Sequence, residues 1–556
     1  MKKAGPVQIY SSSWLLTEQS GLCELYVLGN PTFINKQADT HEWIKKIASL
    51  YGSGQNSNYT RLAEELNNTR GIFSLILKKR NEYIIVSDII RSHPIFYGFH
   101  KNKFFITDKL EDFQRDNGRF EIDYEKLDEY ISCGLVLGKG TLYKNVYGLQ
   151  AGEMVTVSDR RTKSHRYFKL KPSDKPVKFK NISEFTNAFD KVLISVFSNM
   201  LRNNTNPKRW IVPLSGGHDS RLIVNYLYRL GVKNVLCFTY GLKNNEQARI
   251  SKMLADILGY EWHFVEYTEQ KWQEMHKRGL ITGFIYHSFN GVSIPHLQDF
   301  LAIYELKDKN IITDDDIIIP GHSAVTSRFN QGNFDFSDNN DVVRLAYCHE
   351  TVASNIDILN EKALQNLSLI FENSGVNPEN FRAFINWQER QSKFTVNSIQ
   401  AYDFFGFKSQ LPFWDRLMVD FWLDYPANQR VGRQVLYQAE ENGLLVDELK
   451  QVPFAGQTKE SGNSSLKSRI KKILPDSLLV KLLRLTGRKA KLDEAMNQIY
   501  SLEAGSVSDL ISPLSDFPGS SLQYFNGFLS RLTYQVDSNL ITRLYVVRKL
   551  LDKIKG

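Results

Sequence analysis

Cysteine is scarce in this chain of 556 residues, and the four that occur are far apart, at Cys23, Cys133, Cys237 and Cys348. They form no CxxC pair, which argues against a disulfide framework and against a zinc knuckle. The sequence also lacks any run of about 18 uncharged apolar residues, so no transmembrane helix is expected. The start, MKKAGPVQIYSSSWLL, has no apolar stretch of signal-peptide length. These absences predict a cytoplasmic protein.

Net charge is modest, +9 at pH 7, and part of the excess lies in the basic, partly amphipathic segment 464–491. Two interpretations of this segment stay open: a solvated helical face, or peripheral contact with an anionic membrane surface. No basic run is interleaved with aromatic residues, so nucleic-acid binding is not expected. A chain of this length is too long for one core and predicts two or three domains.

The first 170 residues have the pattern of a strand-rich domain. Short β-rich runs are separated by charged turns, namely GIFSLIL, YIIVSD, PIFYGFH and KFFITD. Such spacing predicts an antiparallel, layered arrangement. The polar segment 169–181 then predicts a linker, and we expect the parts on either side of it to have separate cores.

Strands and helices alternate from residue 182 onwards. A helical stretch leads into the strand RWIVPL, and two further strands, NVLCFTY and EWHFVEY, follow with a helix before each. Glycines at 231 and 259 are the expected helix stops, and the first of these helices has apolar residues at 222, 223, 226, 227 and 230. This alternation predicts parallel βαβ units, and beyond about residue 340 the pattern is mainly helical.

The turn between RWIVPL and its helix has the composition of an anion-binding loop. Gly216 and Gly217 let the backbone approach a ligand closely, and free N–H groups at a helix start favour an anion. Ser215 and Ser220 add hydroxyl donors, and Asp219 could hold Mg²⁺ beside bound phosphates. The spacing is neither that of a Walker loop nor that of a dinucleotide fingerprint. A tight strand-to-helix turn with a serine N-cap is the structural alternative.

The string PLSGGHDS (213–220) resembles the SGGxDS pyrophosphate loop of the asparagine synthetase family. Strings before it, SDIIRSHPIFYGFHKNKFFITDKLEDF and TLYKNVYGLQAGEMVTV, are similar to that family's glutaminase-type domain, and LPFWD resembles its later RVPFLD signature. Three further strings, SGGHDSR, PHLQD and PGHS, are similar to those of a branch of this family that is associated with bacterial O-antigen and capsule clusters. Its members look like amidotransferases acting on sugar acids.

The resemblance implies a fold and a reaction. It implies α+β and α/β architecture: an Ntn-hydrolase-like layered antiparallel β domain over residues 1–170, then an α/β adenine-nucleotide (PP-loop) synthetase domain over 182–556 with a helical C-terminal part. ATP, with Mg²⁺, would activate a carboxylate as an acyl-adenylate. Ammonia or an amine would then attack the acyl carbon to give an amide and AMP.

The resemblance also implies residue roles. The residues expected to bind ATP are Leu214, Ser215, Gly216, Gly217, Asp219, Ser220, Phe238, Thr239 and Gly321. Asp219, Arg221 and His322 are the catalytic candidates, and Asp219 is the metal ligand. His218 is expected to shape the loop, and Arg221 is expected either to reach a substrate carboxylate or to pair with an acid on the helix surface.

Three positions depart from the family's pattern. Glutamine-hydrolysing members begin Met-Cys, whereas this sequence begins with Met1 followed by two lysines, so the N-terminal domain is predicted to lack glutaminase activity. Val325 aligns with an acidic residue that would share Mg²⁺ with Asp219 in the family. The three acids at 314–316 either take over that role or form a turn before a strand. Lys408 aligns with a glutamate that is a candidate base.

Three functional hypotheses follow from these features. The first is an ATP-dependent amide-forming enzyme that acts on a small-molecule or lipid-linked sugar acid, with ammonia or an amine as donor. The second is a nucleotide-binding pseudoenzyme that serves as a scaffold. The third is an intramolecular amide cyclase of the β-lactam synthetase or lasso-peptide cyclase type.

Overall fold

The computed structural model describes residues 8–10, 16–20, 23–34, 40–52, 58–158, 161–204, 207–322, 342–344, 346–347, 360–426, 429, 434–455 and 546–547. Met1, Val325, Cys348 and the basic segment 464–491 lie outside the described residues. The architecture is mixed α/β, with a sheet-rich N-terminal unit and a helical C-terminal part. In the described ranges, no helix is long and apolar enough to cross a lipid bilayer.

The described residues of the N-terminal unit form twelve strands in three sheets and four helices. Its strands are β1 (Gln8–Tyr10), β2 (Leu16–Ser20), β3 (Cys23–Gly29), β4 (Thr32–Phe33), β5 (Thr69–Arg70), β6 (Phe73–Lys79), β7 (Glu82–Ser87), β8 (Phe96–His100), β9 (Lys103–Thr107), β10 (Val146–Gly148), β11 (Glu153–Ser158) and β12 (Arg161–Arg166). Its helices are α1 (Thr40–Gly52), α2 (Asn58–Asn67), α3 (Leu110–Asn117) and α4 (Tyr124–Cys133). The four apolar runs noted in the sequence are the strands β6 to β9, as predicted.

The two larger sheets of this unit pack face to face because both faces of the middle strands are apolar. The six-stranded sheet β12-β11-β7-β6-β3-β2 is antiparallel throughout, and the four-stranded sheet β1-β9-β8-β10 is antiparallel except between β1 and β9. Successive side chains of a strand point to opposite faces. Ile76 and Ile85 pack with Tyr97 and Ile106 of the smaller sheet. On the other face Phe73 contacts Trp43 of α1, with ring centroids 5.5 Å apart.

The second unit is built on a parallel sheet of five strands in the order β15-β14-β13-β16-β17. These strands are β13 (Trp210–Pro213), β14 (Val235–Gly241), β15 (Glu261–Glu266), β16 (Ile317–Ile318) and β17 (Lys408–Ser409). The predicted parallel βαβ units are confirmed, with α6 and α7 ending next to Gly231 and Gly259, which both have positive φ. Strand β13 is central, so the loop that follows it lies between neighbours on both sides.

Helices surround this sheet and make up the later part of the chain. They are α5 (Ile182–Asn203), α6 (His218–Arg229), α7 (Glu246–Leu258), α8 (Glu269–Lys277), α9 (Leu280–Phe289), α10 (Phe300–Asp308), α11 (Glu361–Ser374), α12 (Pro378–Ile385), α13 (Gln400–Phe404), α14 (Arg416–Asp424), α15 (Gln434–Ala439) and α16 (Asp447–Lys450). π-Helical turns follow α12 over Asn386–Thr395 and α15 over Glu440–Leu444. Short 3₁₀ turns lie at Val396–Ile399 and Pro412–Trp414.

The two units contact each other through one large apolar cluster, while a second cluster lies within the N-terminal unit alone, and the expectation of separate cores stays a prediction. Buried apolar residues from both units form a single continuous cluster. Trp387 explains why: its ring packs on Phe168 at 5.6 Å, and its indole N–H donates to the Ile89 carbonyl at 2.6 Å. Large aromatic side chains that bridge two units bury apolar area that neither unit covers alone.

The segment joining the two units is nonetheless exposed. Residues 174–178 are all solvent-exposed, and the segment is attached to α14 through two backbone bonds, from Ser173 N to Leu423 O at 2.9 Å and from Val177 N to Asp424 O at 2.7 Å. The boundary near 170–181 remains a prediction.

Limited trypsin digestion tests this boundary. We expect early cleavage after Lys178, because exposed backbone in an irregular segment is the preferred site of nicking. The two fragments should co-elute in size-exclusion chromatography because a large apolar cluster joins the two units. First cuts between residues 207 and 322, identified by mass spectrometry, would contradict the boundary.

Candidate functional site

The strand ends at the middle of the parallel sheet form the floor of the candidate site. Leu214 continues β13, and its N–H donates to the Phe238 carbonyl at 2.8 Å. Thr239 Oγ1 donates to the Leu214 carbonyl at 2.6 Å. All three side chains are buried. The structure therefore brings these three predicted residues together at the carboxyl edge of the sheet, which is where open parallel sheets bind ligands.

The serine hydroxyls of the loop bond to the loop itself. Ser220 Oγ accepts from the Ser215 N–H at 3.0 Å and lies 3.0 Å from Ser215 Oγ. Ser215 Oγ in turn accepts from the Gly217 N–H at 3.2 Å. These bonds close the turn between β13 and α6, so in this conformation both hydroxyls shape the loop.

Helix α6 begins without a side-chain cap. Its N-cap residue is Gly217, with no side-chain hydrogen bond, whereas Asn181 and Asn245 cap α5 and α7 with their side chains. The structural alternative of a serine N-cap is therefore wrong. Uncapped N–H groups at a helix start are suited to an anion, and the helix dipole favours negative charge there.

Gly321 reaches this loop from the opposite side. Strand β16 runs parallel to β13, with Ile317 beside Trp210, and the chain then passes the start of α6. A Cβ atom added to Gly321 would lie 3.0 Å from the backbone nitrogen of Ser220 and 3.2 Å from its Cα. Only glycine permits so close an approach of two backbones.

Asp219 supplies an acid in the first turn of α6. Magnesium in phosphate-binding sites is commonly held by one or two carboxylates together with substrate phosphates and water. A single aspartate at the helix start fits that donor set. The described part of the chain contains no group of three or more His, Cys, Asp or Glu side chains placed to hold a metal without a substrate.

Arg221 does not face the loop. Its side chain is 0% exposed, and its guanidinium donates to the backbone carbonyls of Val452 at 2.7 Å and Pro453 at 2.8 Å. It also lies over the Phe454 ring, 3.7 Å from the centroid. Neither expected role, contact with a substrate carboxylate or with a surface acid, matches this placement. The physical reason is that residues 449–454 cover this face of α6.

His218 packs in a similar way. Its ring stacks between Tyr437 at 4.3 Å and Phe454 at 3.7 Å, and Nδ1 lies 2.5 Å from Glu440 Oε2. The expectation that His218 shapes the loop stays a prediction. Glu440 is nearly fully buried, and burial raises its pKa, with the His218 hydrogen bond opposing that effect.

His322 follows Gly321 and makes one hydrogen bond through Nε2, to Ser398 Oγ at 2.7 Å. Burial, together with the nearby His296, lowers the pKa of His322 to about 3, so the imidazole is neutral at pH 7. The motifs PHLQD and PGHS thus contribute neighbouring histidines. His296, Ser398 and Glu440 are residues that the sequence interpretation did not include.

Lys408 lies at the wrong end of the sheet for the aligned role. It starts β17 and pairs with Ile317, which pairs with Trp210 at the amino end of β13. The loop begins beyond Pro213, about 10 Å further along at roughly 3.3 Å per residue. The register therefore does not bring Lys408 next to the loop, contrary to the placement that its alignment with a glutamate base implies. Asp314 and Asp315 also precede β16 in a turn, as the turn interpretation predicted.

Cys23 and Cys237, one from each unit, are buried in strands. Cys23 lies in β3 at 0% exposure, and burial raises its pKa to about 11. Cys237 in β14 is equally buried, and burial raises its pKa as well. Because the thiolate is the nucleophile, neither thiol is placed for covalent catalysis.

Comparisons with known proteins agree with parts of this description. Residues 58–168 match the family model of a glutamine amidotransferase domain. The microcin J25-processing protein McjC of Escherichia coli is 23% identical over 176 residues, which are 31% of this chain and 31% of that protein. The chain thus spans just under a third of the curated relative that it matches.

Among solved structures, glutamine phosphoribosylpyrophosphate amidotransferase from B. subtilis is 11% identical, with 63% of this chain and 74% of that chain covered and a TM-score of 0.19. The NH3-dependent NAD synthetase from Campylobacter jejuni is 14% identical, with 40% of this chain and 96% of that chain covered and a TM-score of 0.20.

The family match and the curated relative together define a class. The N-terminal unit contains a domain similar to glutamine amidotransferase domains. The curated relative is a microcin-processing protein, similar to part of this chain at low identity. The chain is therefore similar to amidotransferase or ligase enzymes.

Replacing Gly321 tests the backbone contact at the loop. Gly321→Ala should lower stability by about 1–3 kcal/mol, the usual cost of overpacking, because the new Cβ would press against the backbone nitrogen, Cα and Cβ of Ser220. Urea unfolding followed by circular dichroism measures the loss. Gly217→Ala is the control, since its Cβ would meet only Ser215 Oγ at 3.3 Å. Equal stability of the two variants would disprove the close approach.

Thiol labelling tests the burial of the cysteines. We expect Cys23 and Cys237 to resist iodoacetamide at pH 8 in the native protein, because raised pKa values leave almost no thiolate. Both should react in 8 M urea (roughly the concentration that unfolds most domains). Peptide mapping by mass spectrometry distinguishes the sites, and native labelling of Cys23 would show that β3 opens.

Proposed function

We propose that this protein uses ATP to join a carboxylate to an amine through an acyl-adenylate. The observation that carries the proposal is the loop after β13: an uncapped helix start at the carboxyl edge of a parallel sheet, with glycines where backbones approach. Such a loop suits a phosphate chain. The similarity to a glutamine amidotransferase domain supports amide chemistry.

In this proposal the loop residues hold the phosphates. The N–H groups at the start of α6 donate to phosphate oxygens, and Asp219 is the side chain that would hold Mg²⁺. The ion would neutralise charge on the departing pyrophosphate. Leu214, Phe238 and Thr239 form the floor under the strand ends, where the adenine would lie. Gly321 bounds the site on the β16 side.

Two bond exchanges complete the reaction. A carboxylate oxygen attacks the α-phosphorus of ATP, the bond to the β-phosphate oxygen breaks, and pyrophosphate leaves. An amine nitrogen then attacks the acyl carbon, the bond to AMP breaks, and the nitrogen loses a proton. His322 stays neutral at physiological pH because burial lowers its pKa. A neutral imidazole beside the loop can accept a hydrogen bond from the amine and orient its lone pair.

Two classes of carboxylate are candidates. The resemblance of the SGGHDSR, PHLQD and PGHS strings supports a sugar acid, free or lipid-linked, with ammonia or an amine as donor. The likeness to a microcin-processing protein supports a peptide carboxylate and an intramolecular amide instead. We favour the sugar acid as the first candidate and the peptide as the second.

Asp219→Asn tests the nucleotide site. The variant should weaken Mg²⁺-dependent ATP binding by about 1.5–3 kcal/mol, the typical contribution of one charged contact. Isothermal titration calorimetry gives the affinity. Lys408→Gln is the matched control, because Lys408 lies at the amino end of the sheet and should leave the affinity unchanged. Equal affinities of wild type and Asp219→Asn would place the nucleotide elsewhere.

Pyrophosphate release decides between the functions. The wild-type protein would be assayed with ATP, Mg²⁺ and ammonia across uronic acids, amino acids and linear peptides. Release that depends on an uronic acid supports the first candidate, and release that depends on a peptide supports the second. ATP binding without pyrophosphate release in the presence of any of these acids would instead indicate a nucleotide-binding scaffold.

A further inference from the structure

Helix α6 has a polar face that the nucleotide loop does not use. Residues 218, 221, 225 and 229 recur at helical spacing and fall on one side of the helix. Each contacts the later segment between residues 437 and 454. This face is separate from the apolar face that packs against the sheet.

The contacts along this face are made mainly to backbone. Asn225 Nδ2 donates to the Leu444 carbonyl at 3.0 Å, and its Oδ1 accepts from the Val446 N–H at 2.9 Å. Arg221 binds the Val452 and Pro453 carbonyls. Side chains that bond to backbone fix the path of a segment, so residues 444–455, here called the docked segment, follow α6 towards the loop.

The docked segment ends on the loop itself. The Ala455 N–H donates to the Gly216 carbonyl at 3.0 Å. A Cβ on Gly216 would lie 2.8 Å from Ala455 Cβ, so the two chains are in direct contact. The position of Phe454 and Ala455 therefore bears directly on the conformation of Gly216.

Arg221 remains charged in its buried position. Burial lowers its pKa to about 10, far above neutral pH, and Glu440 opposes that decrease. A buried cation is costly unless its hydrogen bonds are supplied. Here two carbonyls, the Phe454 ring and a buried carboxylate supply the compensation. Such a site is expensive to rearrange, which makes it suitable for holding one geometry.

We propose that Arg221 and His218 are positioning residues that dock residues 444–455 onto the loop, and that this docking holds the loop ready for a phosphate chain. The second clause rests on the proposed function, because it takes the loop as the nucleotide site. His218 acts through Phe454 and Tyr437, which its ring separates, and Arg221 acts through the backbone at 452–453. Neither residue needs to touch the nucleotide.

Hydrogen exchange of the full chain tests the docking. In Arg221→Lys, a peptide covering 446–455 should exchange about tenfold faster than in wild type, because local opening sets exchange and a single ammonium cannot replace the planar fork. Arg278→Lys is the matched control, because this half-exposed arginine pairs with Glu274 of α8 at 3.6 Å and lies over the Tyr304 ring of α10. Exchange of the 446–455 peptide should stay at the wild-type rate in that variant.

Phe454→Leu provides a second variant if Arg221→Lys does not fold. It removes the ring that both His218 and Arg221 contact at 3.7 Å while keeping an apolar side chain. We expect the same faster exchange. Wild-type exchange rates in both variants would overturn the docking.

Calorimetry with Mg²⁺-ATP then tests the consequence. The affinity of Arg221→Lys should fall about tenfold, roughly the effect of losing one preorganised contact, while Arg278→Lys keeps the wild-type affinity. Faster exchange with unchanged affinity would overturn the claim that docking prepares the loop. A wild-type protein that binds no ATP would contradict the proposed function, whereas the exchange rates would still judge the docking.

Discussion

Two backbone segments meet the loop after β13, and both contacts require glycine. Gly321 brings the chain after β16 against Ser220, and Gly216 lies against Ala455. A side chain at either position would push the backbones apart, because protein interiors are close-packed and leave little room to relax. The geometry of the helix start therefore depends on two distant parts of the chain, one before residue 322 and one near residue 455. The parallel sheet supplies the first, and the polar face of α6 supplies the second.

Buried charge pairs fix the two units against each other in a comparable way. Arg70 of β5 donates to Asp415 at 2.8 Å, and both side chains are less than 10% exposed. Lys393 donates to Glu389 at 2.6 Å and to the Val136 carbonyl of the N-terminal unit at 2.8 Å. Removing one member of such a pair typically costs about 3–5 kcal/mol because the other charge is left buried. The units thus behave as one body despite their exposed connection.

Local sequence patterns were sufficient to predict the strands and helices and the loop after β13, but not the distant residues that pack beside that loop. Strands β6 to β9 and β13 to β15 could be predicted because short apolar runs between turn residues have few alternatives. Glu440 and Phe454 could not, since they lie more than 200 residues from the histidine they contact. The spacing of 218, 221, 225 and 229 indicates a second buried face, yet it does not identify the partner. Lys408 was misplaced because a motif alignment does not contain the strand register that puts it at the amino end.

Basic side chains beside the loop offset the negative charge that a bound anion would encounter there. Glu440 and Asp219 both lie near the start of α6, and Asp219 raises the pKa of Glu440 further. A phosphate chain would add negative charge, which raises the energy of a buried carboxylate in a low-dielectric surrounding. His218 and Arg221 lower the Glu440 pKa, so they oppose the rise in energy that the phosphate charge would cause. A buried guanidinium that never contacts the ligand can therefore still favour its binding, because it stabilises the carboxylate that holds His218 in place.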